Sequence, residues 1–265
     1  MKRTRLGVLG WPVAHSLSPA IQNAALAAAG LDSWRYQLLP APPELLHEIV
    51  RALRAAGFAG ANVTIPHKQA ALALARQATD RARAIGAANT LSFGSAGEIE
   101  ADNTDAPALI GALPFPASGA TALVLGAGGS ARAAVWALLD AGAADVRVWN
   151  RNGQRARDLC DELGATAAGG EVGPADLLVN CTAVGLDGSD PFDRLPVTAA
   201  GLTDYACIVD FVYTPGGSRL VAVAAELGVP AVDGLELLIG QGALSFTRFT
   251  GRAAPLEAMR AAVGR

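Results

Sequence analysis

The stretch 121–132, TALVLGAGGSAR, constrains this chain more than any other. A short apolar run, 122–125, meets Gly126, Gly128 and Gly129 and passes at once into an alanine-rich helical pattern, 132–139. Strand, glycine turn and helix in that order make an α/β unit. Its turn can approach a phosphate closely, because the glycines bend tightly and the helix start leaves N–H groups free. The residues of that turn are Gly126, Ala127, Gly128, Gly129 and Ser130, with Ala131 at the third glycine position of the dinucleotide fingerprint. Glycine turns also precede helices that bind nothing, so the loop alone leaves a structural turn and a dinucleotide site both open.

The end of the next strand bears on that choice. An acid there would accept a free ribose 2′-hydroxyl. The run 146–149 instead leads into Asn150 and Arg151, followed by Arg155 and Arg157. Guanidinium groups match a phosphate with paired donors, and cations at a helix N-terminus oppose its dipole unless an anion is present. This pattern points to NADP rather than NAD. The stretch 180–185, NCTAVG, follows another apolar strand, where Thr182 is either a cofactor contact or an ordinary turn residue.

Of the 265 residues 51% are hydrophobic and 17% charged, which describes one large or two modest well-buried domains. A net charge of −3 argues against nucleic acid or an acidic membrane as partner. No apolar run reaches the roughly 18 residues of a membrane span, and the N-terminus does not read as an export signal. Cys160, Cys181 and Cys207 lack metal-like spacing and are expected to be buried thiols of a cytoplasmic protein. With only His15, His47 and His67 present, no metal site is expected.

Periodicity and punctuation predict strands at 5–9, 34–39, 61–65, 87–93 and 98–101 in the first hundred residues, with a turn over 94–97. Helices are expected from Ser18 as N-cap, with Pro19 first, to 29, and over 42–56, 67–76 and 80–85. A helix over 105–113 and a linker at 114–119 lead to a second α/β region. Its predicted strands are 122–125, 146–149, 177–180 and 208–212, with a short one at Val232. Its predicted helices are 130–140, 154–163 and 218–227, followed by a long apolar helix, 234–250, and a last one, 255–263. The fold class is therefore α/β, with a Rossmann-like second half.

The chemically densest stretch is 62–68, NVTIPHK. Asn62 and Thr64 share one strand parity, Pro66 forces the chain out of the sheet, and Lys68 is expected one turn into the helix that follows. Polar groups at a strand end are poor core material, although most lysines are simply solvated. His67 points away from its neighbour and is read as helix surface or packing. In Asn103–Thr104–Asp105, the acid is either a first-turn helix residue or a crevice acid facing a lysine, and the two roles are compatible.

Taken together, SLSP (16–19), NVTIPHK (62–68), GAANTL (86–91), NTD (103–105), GAGGS (126–130), Asn150–Arg151 and GLELLIGQGAL (234–244) resemble the shikimate dehydrogenase family, in its order and over nearly the whole chain. The resemblance implies an N-terminal substrate domain (1–105), an NADP domain (106–236) and C-terminal helices (237–265) returning to the first. It implies reversible NADPH-dependent reduction of 3-dehydroshikimate to shikimate, on the route to chorismate and the aromatic amino acids, by a monomer or homodimer. By residue match, Lys68 and Asp105 would be catalytic. Ser16 and Ser18 would hold the substrate carboxylate, and Thr64, Asn89 and Asp105 its hydroxyls, with Tyr213 and Gln241 as further substrate contacts. Asp80, Phe211 and Gly234 would approach the cofactor together with Gly126–Ser130, Asn150, Arg151, Arg155 and Thr182. The chain departs from the family pattern at Ala106–Pro107, at Ala183 and at Asn152, where a hydroxyl contact to the 2′-phosphate would be lost. Alternatives are a quinate/shikimate enzyme using NAD, against which Ser16 leans, and a non-catalytic NADP- or shikimate-binding regulator. A methylene-tetrahydrofolate dehydrogenase shares the two-domain plan, but the 16–19 loop does not suggest a pterin site.

Overall fold

A computed structural model describes residues 3–94, 98–170, 172–214 and 216–265. The chain folds as two units, Met1–Thr104 with Leu238–Arg265, and Asp105–Leu237.

In the first unit, β1 (Thr4–Gly10) is apolar and buried over most of its length, as a strand covered on both faces must be. It pairs in parallel with β2 (Trp34–Pro40) on one side and β3 (Phe58–Val63) on the other. Beyond β3, the antiparallel β5 (Thr90–Phe93) and β6 (Ile99–Asp102) and the short β4 (Gln77–Ala78) complete the order β2-β1-β3-β5-β6-β4. Helices α1 (Ser18–Ala28), α2 (Leu46–Ala55), α3 (Lys68–Leu74) and α4 (Asp80–Ile85) connect these strands. One core packs Leu6, Val8, Ile21 and Tyr36 against Ile239, Phe246 and Met259 of the returning segment. The other packs Leu9, Val50, Phe58, Val63 and Leu91.

The second unit opens with α5 (Asp105–Ala112) and β7 (Thr121–Leu125). It continues through α6 (Gly129–Asp140), β8 (Asp145–Trp149), α7 (Gly153–Leu163), β9 (Thr166–Ala167), β10 (Ala175–Asn180), β11 (Tyr205–Asp210), α8 (Arg219–Glu226) and β12 (Ala231–Val232). Every pairing is parallel, and the order is β12-β11-β10-β7-β8-β9. Read from β9, this is the doubly wound 3-2-1-4-5-6 order, which places its ligand crevice at the carboxyl ends of the first and fourth strands, β7 and β10. The long helix α9 (Gly234–Thr250) starts in this unit and runs into the first, where α10 (Leu256–Ala261) ends the chain.

Several boundaries differ from expectation. Helix α1 begins at Ser18 itself, with Leu17 as an N-cap that offers no side-chain bond. The expected helix 42–56 is a one-turn 3₁₀ segment, Pro43–Leu45, followed by α2. Strand β3 spans Phe58–Val63 and β11 stops at Asp210, both short of the expected ends. Lys68 is the first residue of α3. Cys160 and Cys207 are buried free thiols, but Cys181 is only half-buried. Edge strands β4 and β9 are two residues each, too short to carry a periodicity. The expected turn at 94–97 falls largely outside the described residues.

A charged staple fixes α9 to the first sheet. Asp102, 4% exposed at the end of β6, accepts from Thr79 Oγ1 at 2.7 Å, Arg81 Nη2 at 2.8 Å, the Asn103 N–H at 2.7 Å and Arg248 Nη1 at 3.2 Å. Arg248 also pairs with Glu100 at 2.8 Å. Burial pushes the Asp102 carboxyl up, yet the bond from Thr79 and the charge and bond of Arg81 outweigh it and hold the group below its ordinary value. A carboxyl lowered on folding contributes stability above its unfolded value, and that stability disappears as pH falls through the folded one. Asp102→Asn should therefore cost about 2 kcal/mol at pH 7 in urea denaturation, with the gap to wild type closing below about pH 4.

Candidate active site

The first sheet has its own switch point, because β2 and β3 flank β1 on opposite sides. The loops leaving β1 and β3 meet there. The Trp11 N–H donates to Ile65 O at 3.0 Å and the Thr64 N–H to Leu9 O at 2.8 Å. The β1 loop carries Ser16 and Ser18. The Ser18 N–H donates to Ser16 Oγ at 3.3 Å, Pro19 has no N–H, and the Ala20 N–H returns to Leu17 O. The start of α1 thus has few free backbone donors, and an anion there would rely on the two hydroxyls, aided by the helix dipole. The β3 loop carries Thr64, half-buried, and Lys68, 9% exposed. His67 is buried, with Nε2 2.7 Å from Ala41 O, which is the packing alternative of the two expected and not the surface one.

Backbone bonds bring Asn89 to this crevice. The Ala88 N–H donates to Lys68 O and the Val63 N–H to Asn89 O, both at 2.8 Å. The Asn89 carboxamide, 2% exposed, accepts from the Thr104 N–H at 2.8 Å and from Thr90 Oγ1 at 3.0 Å. Its Nδ2 donates to Thr104 Oγ1 at 3.0 Å and to Gln241 Oε1 at 3.5 Å. Four expected contacts on the first two loops and two more, Asn89 and Gln241, are thereby placed around one crevice of the first unit. Asp105 and Tyr213 belong to the second unit, although Asp105 follows directly on Thr104. Asp80 opens α4, its exposed carboxylate held by Arg83 Nη2 at 2.5 Å.

Asn62 is a different matter. It is saturated inside the core, accepting from Tyr36 OH at 2.8 Å and Ser245 Oγ at 3.3 Å and donating to Thr90 Oγ1 at 3.1 Å. Sequence reasoning missed these partners and also Gln22, 1% exposed, whose Nε2 donates to Gly242 O at 2.8 Å on α9. Gln22 sits one turn after Ser18, and Gly242 follows Gln241, so this bond sets two expected substrate contacts against each other. Its only sequence signal is a polar residue on the buried stripe of α1.

In the second unit the β7–α6 turn lies at the switch point. Gly126 has φ +113°, a conformation that favours glycine. A Cβ on it would come within 3.3 Å of the Cys181 carbonyl and of Thr182 Cγ2. The Gly126 N–H donates to Trp149 O at 2.7 Å and the Cys181 N–H to Leu125 O at 2.9 Å, so the turn is flanked by the ends of β8 and β10. Gly128, the N-cap of α6, offers no side-chain cap, which leaves the helix start open to an anion. After β8, Arg151 and Arg155 are exposed and form no ion pair among the described residues, whereas Arg157 is drawn back to Gln154 Oε1 at 2.8 Å. Asn152 caps α7 by accepting from the Gln154 N–H at 3.1 Å, and Asn150 Nδ2 donates to Asn152 O at 2.9 Å. Two such guanidinium groups beside a helix start, next to a turn whose Gly126 conformation favours glycine, fit a phosphorylated dinucleotide. Thr182, Phe211 and Gly234 line the neighbouring strand ends. A Cβ on Gly234 would lie 2.5 Å from Val212 O and 2.9 Å from Phe211 O.

The chain is similar to known proteins in the same regions. Family models match the shikimate dehydrogenase substrate binding domain over residues 8–91, shikimate/quinate 5-dehydrogenase over 112–172 and the shikimate 5′-dehydrogenase C-terminal domain over 234–263. A shikimate dehydrogenase (NADP(+)) of Roseobacter denitrificans is 42% identical, the match covering 97% of this chain and 96% of that one. The chain belongs to the shikimate dehydrogenase family. Among solved family members, shikimate 5-dehydrogenase of Thermus thermophilus, in complex with NADP(H) and shikimate, superposes with a TM-score of 0.88 at 40% identity over 99% of both chains. The enzyme of Aquifex aeolicus gives 0.89 at 32% identity, over 99% of this chain and 98% of that one. The two-domain α/β architecture expected from the resemblance is the family fold.

Among the described residues no helix is long and apolar enough to cross a membrane, and no group of three or more His, Cys, Asp or Glu is placed to hold a metal ion. Gly126→Ala should force strain of about 1–3 kcal/mol into the turn. The expected result is a clear loss of NADP affinity by calorimetry, with shikimate affinity within twofold of wild type.

Proposed function

We propose that this protein interconverts 3-dehydroshikimate and shikimate with NADP(H). The single observation that carries the reading is the convergence of Ser16, Ser18, Thr64, Lys68, Asn89 and Gln241 on the switch point of the first sheet. Hydroxyls, amides and one lysine suit a substrate with one carboxylate and several hydroxyls. Relatives named as NADP(+)-dependent shikimate dehydrogenases support the substrate and cofactor.

Ser16 and Ser18 donate their hydroxyls to the substrate carboxylate at the positive end of α1. Thr64, Asn89 and Gln241 orient the ring by its hydroxyls, and Tyr213 is read as a further substrate contact. The Asn89 carboxamide is fixed by its bonds to Thr104 and Thr90, so its orientation toward substrate is set before binding. NADPH, when bound, supplies the hydride. Gly126–Ser130 would hold its pyrophosphate, and Arg151 and Arg155 its 2′-phosphate. Lys68 donates a proton to the oxygen that becomes the alcohol during reduction and accepts it back during oxidation. Thr104, which Asn89 grips from two sides, directly precedes Asp105, the second residue read as catalytic. The first unit is the substrate domain, with α9 returning to it, and the second is the NADP domain.

Lys68→Ala should reduce kcat by about 10²–10⁴-fold while NADP affinity stays within twofold, because the lysine acts on the proton and not on the cofactor phosphates. Turnover near the wild-type rate would remove Lys68 from the mechanism. Arg151→Ala should raise KM for NADP by about tenfold and leave KM for NAD nearly unchanged. The full test is nicotinamide reduction measured with shikimate and with quinate, each against NADP and NAD. Activity confined to quinate and NAD would overturn the reading.

A further inference from the structure

One buried acid takes no part in the chemistry above. Asp210 ends β11, an otherwise apolar strand, and is 1% exposed. Three donors converge on it. Asn180 Nδ2, at the end of β10, reaches Oδ1 at 2.9 Å, and the Val212 N–H reaches the same oxygen at 3.0 Å. The third is the hydroxyl of Ser218, which also caps α8 by accepting from the Val221 N–H. Burial pushes this carboxyl up to about 6, against the bonds from Ser218, Val212 and Asn180 that hold it down. All three of these donors are neutral. An acid at such a site is costly, and its use follows from its chemistry, because a carboxylate accepts on both oxygens and donates nothing.

The bonds continue outward. With its amide nitrogen held by Asp210, Asn180 presents Oδ1 to the loop ahead, accepting from the Thr182 N–H at 3.1 Å and Thr182 Oγ1 at 2.7 Å. Thr182 Oγ1 then accepts from the Val184 N–H at 3.1 Å. Thr182 lies against Gly126, and Val212 against Gly234. Asp210 is thus the common anchor of the loops after β10 and β11 and of the start of α8. The strand order says what these loops receive. With pyrophosphate at the end of β7 and the 2′-phosphate beyond β8, the remainder of the dinucleotide must extend the other way, over β10 and β11.

We propose that Asp210 is a positioning residue which, through Asn180 and Thr182, holds the β10 and β11 loops in the geometry that receives the nicotinamide end of the cofactor. This rests on the NADP reading of the second unit. The acid itself touches neither substrate nor cofactor.

The test compares two probes on wild type, Asp210→Asn and Asn180→Ala. NADPH engages the whole site, and adenosine 2′,5′-bisphosphate only the adenosine end. In Asp210→Asn one of the three donors meets an amide N–H instead of an acceptor. Its Kd for NADPH by fluorescence titration should rise about tenfold, while that for the bisphosphate stays within twofold. The isotope effect on kcat with 4-deuterated NADPH should grow, which a mere loss of folded protein would not cause. Asn180→Ala should show the same selectivity, and combining both changes should add little, because they cut one chain of bonds. Should Asp210→Asn fail to fold, Asn180→Ala decides by the same two affinities. Equal shifts for both probes, or none, would overturn the inference alone. Failure of the wild-type protein to bind the bisphosphate would overturn the NADP reading, and this inference with it.

Discussion

The carboxamide of Asn89 is the interaction on which the rest of the substrate half depends. It sits where β5 begins and ties its neighbour Thr90 to the exit residue Thr104, 15 positions on, and to Gln241 on α9, 152 positions on. Buried amides are costly unless all their groups are paired, and here both ends of the amide are engaged. The cost is offset only when the sheet, the exit to the second unit and the returning helix are all in register. A single side chain therefore makes correct assembly of the fold a condition for a correct crevice.

The two units solve their problems with the same geometry. Each has a central parallel strand flanked in opposite directions, and each places its loops at the resulting gap. They differ in how they treat charge. The first unit faces its crevice with hydroxyls, amides and the single cation of Lys68, and keeps the ion pairs around the buried Asp102 in a staple to α9. The second keeps Arg151 and Arg155 at the surface, outside any ion pair among the described residues, and buries the acid Asp210 among neutral donors.

What the amino-acid sequence reveals is what is local. A glycine turn between a strand and a helix, the run 234–250 and the helix 80–85 are all written within a few neighbouring residues, and the structure has them where expected. Boundaries set by partners elsewhere were not legible. Ser18 reads as a cap, but Pro19 and the bond to Ser16 let the helix begin one residue earlier. Asn62 reads as a crevice residue because its partners, Tyr36 and Ser245, lie 26 and 183 positions away. Asp210 is visible as an acid closing an apolar strand, but the donors that explain it come from Asn180 and Ser218.

The chain enters its second unit at Asp105 and returns to the first at Leu238. The first unit is thus split, and Ile239, Phe246 and Met259 fill the same core as Leu6, Val8 and Ile21. During synthesis the first hundred residues emerge with that core open and with Gln22 and Asp102 lacking their α9 partners. The second unit, continuous in sequence, can close as soon as it is made. The half that is translated first is completed last, and the ribosome must synthesise the whole second unit before the substrate crevice acquires Gln241.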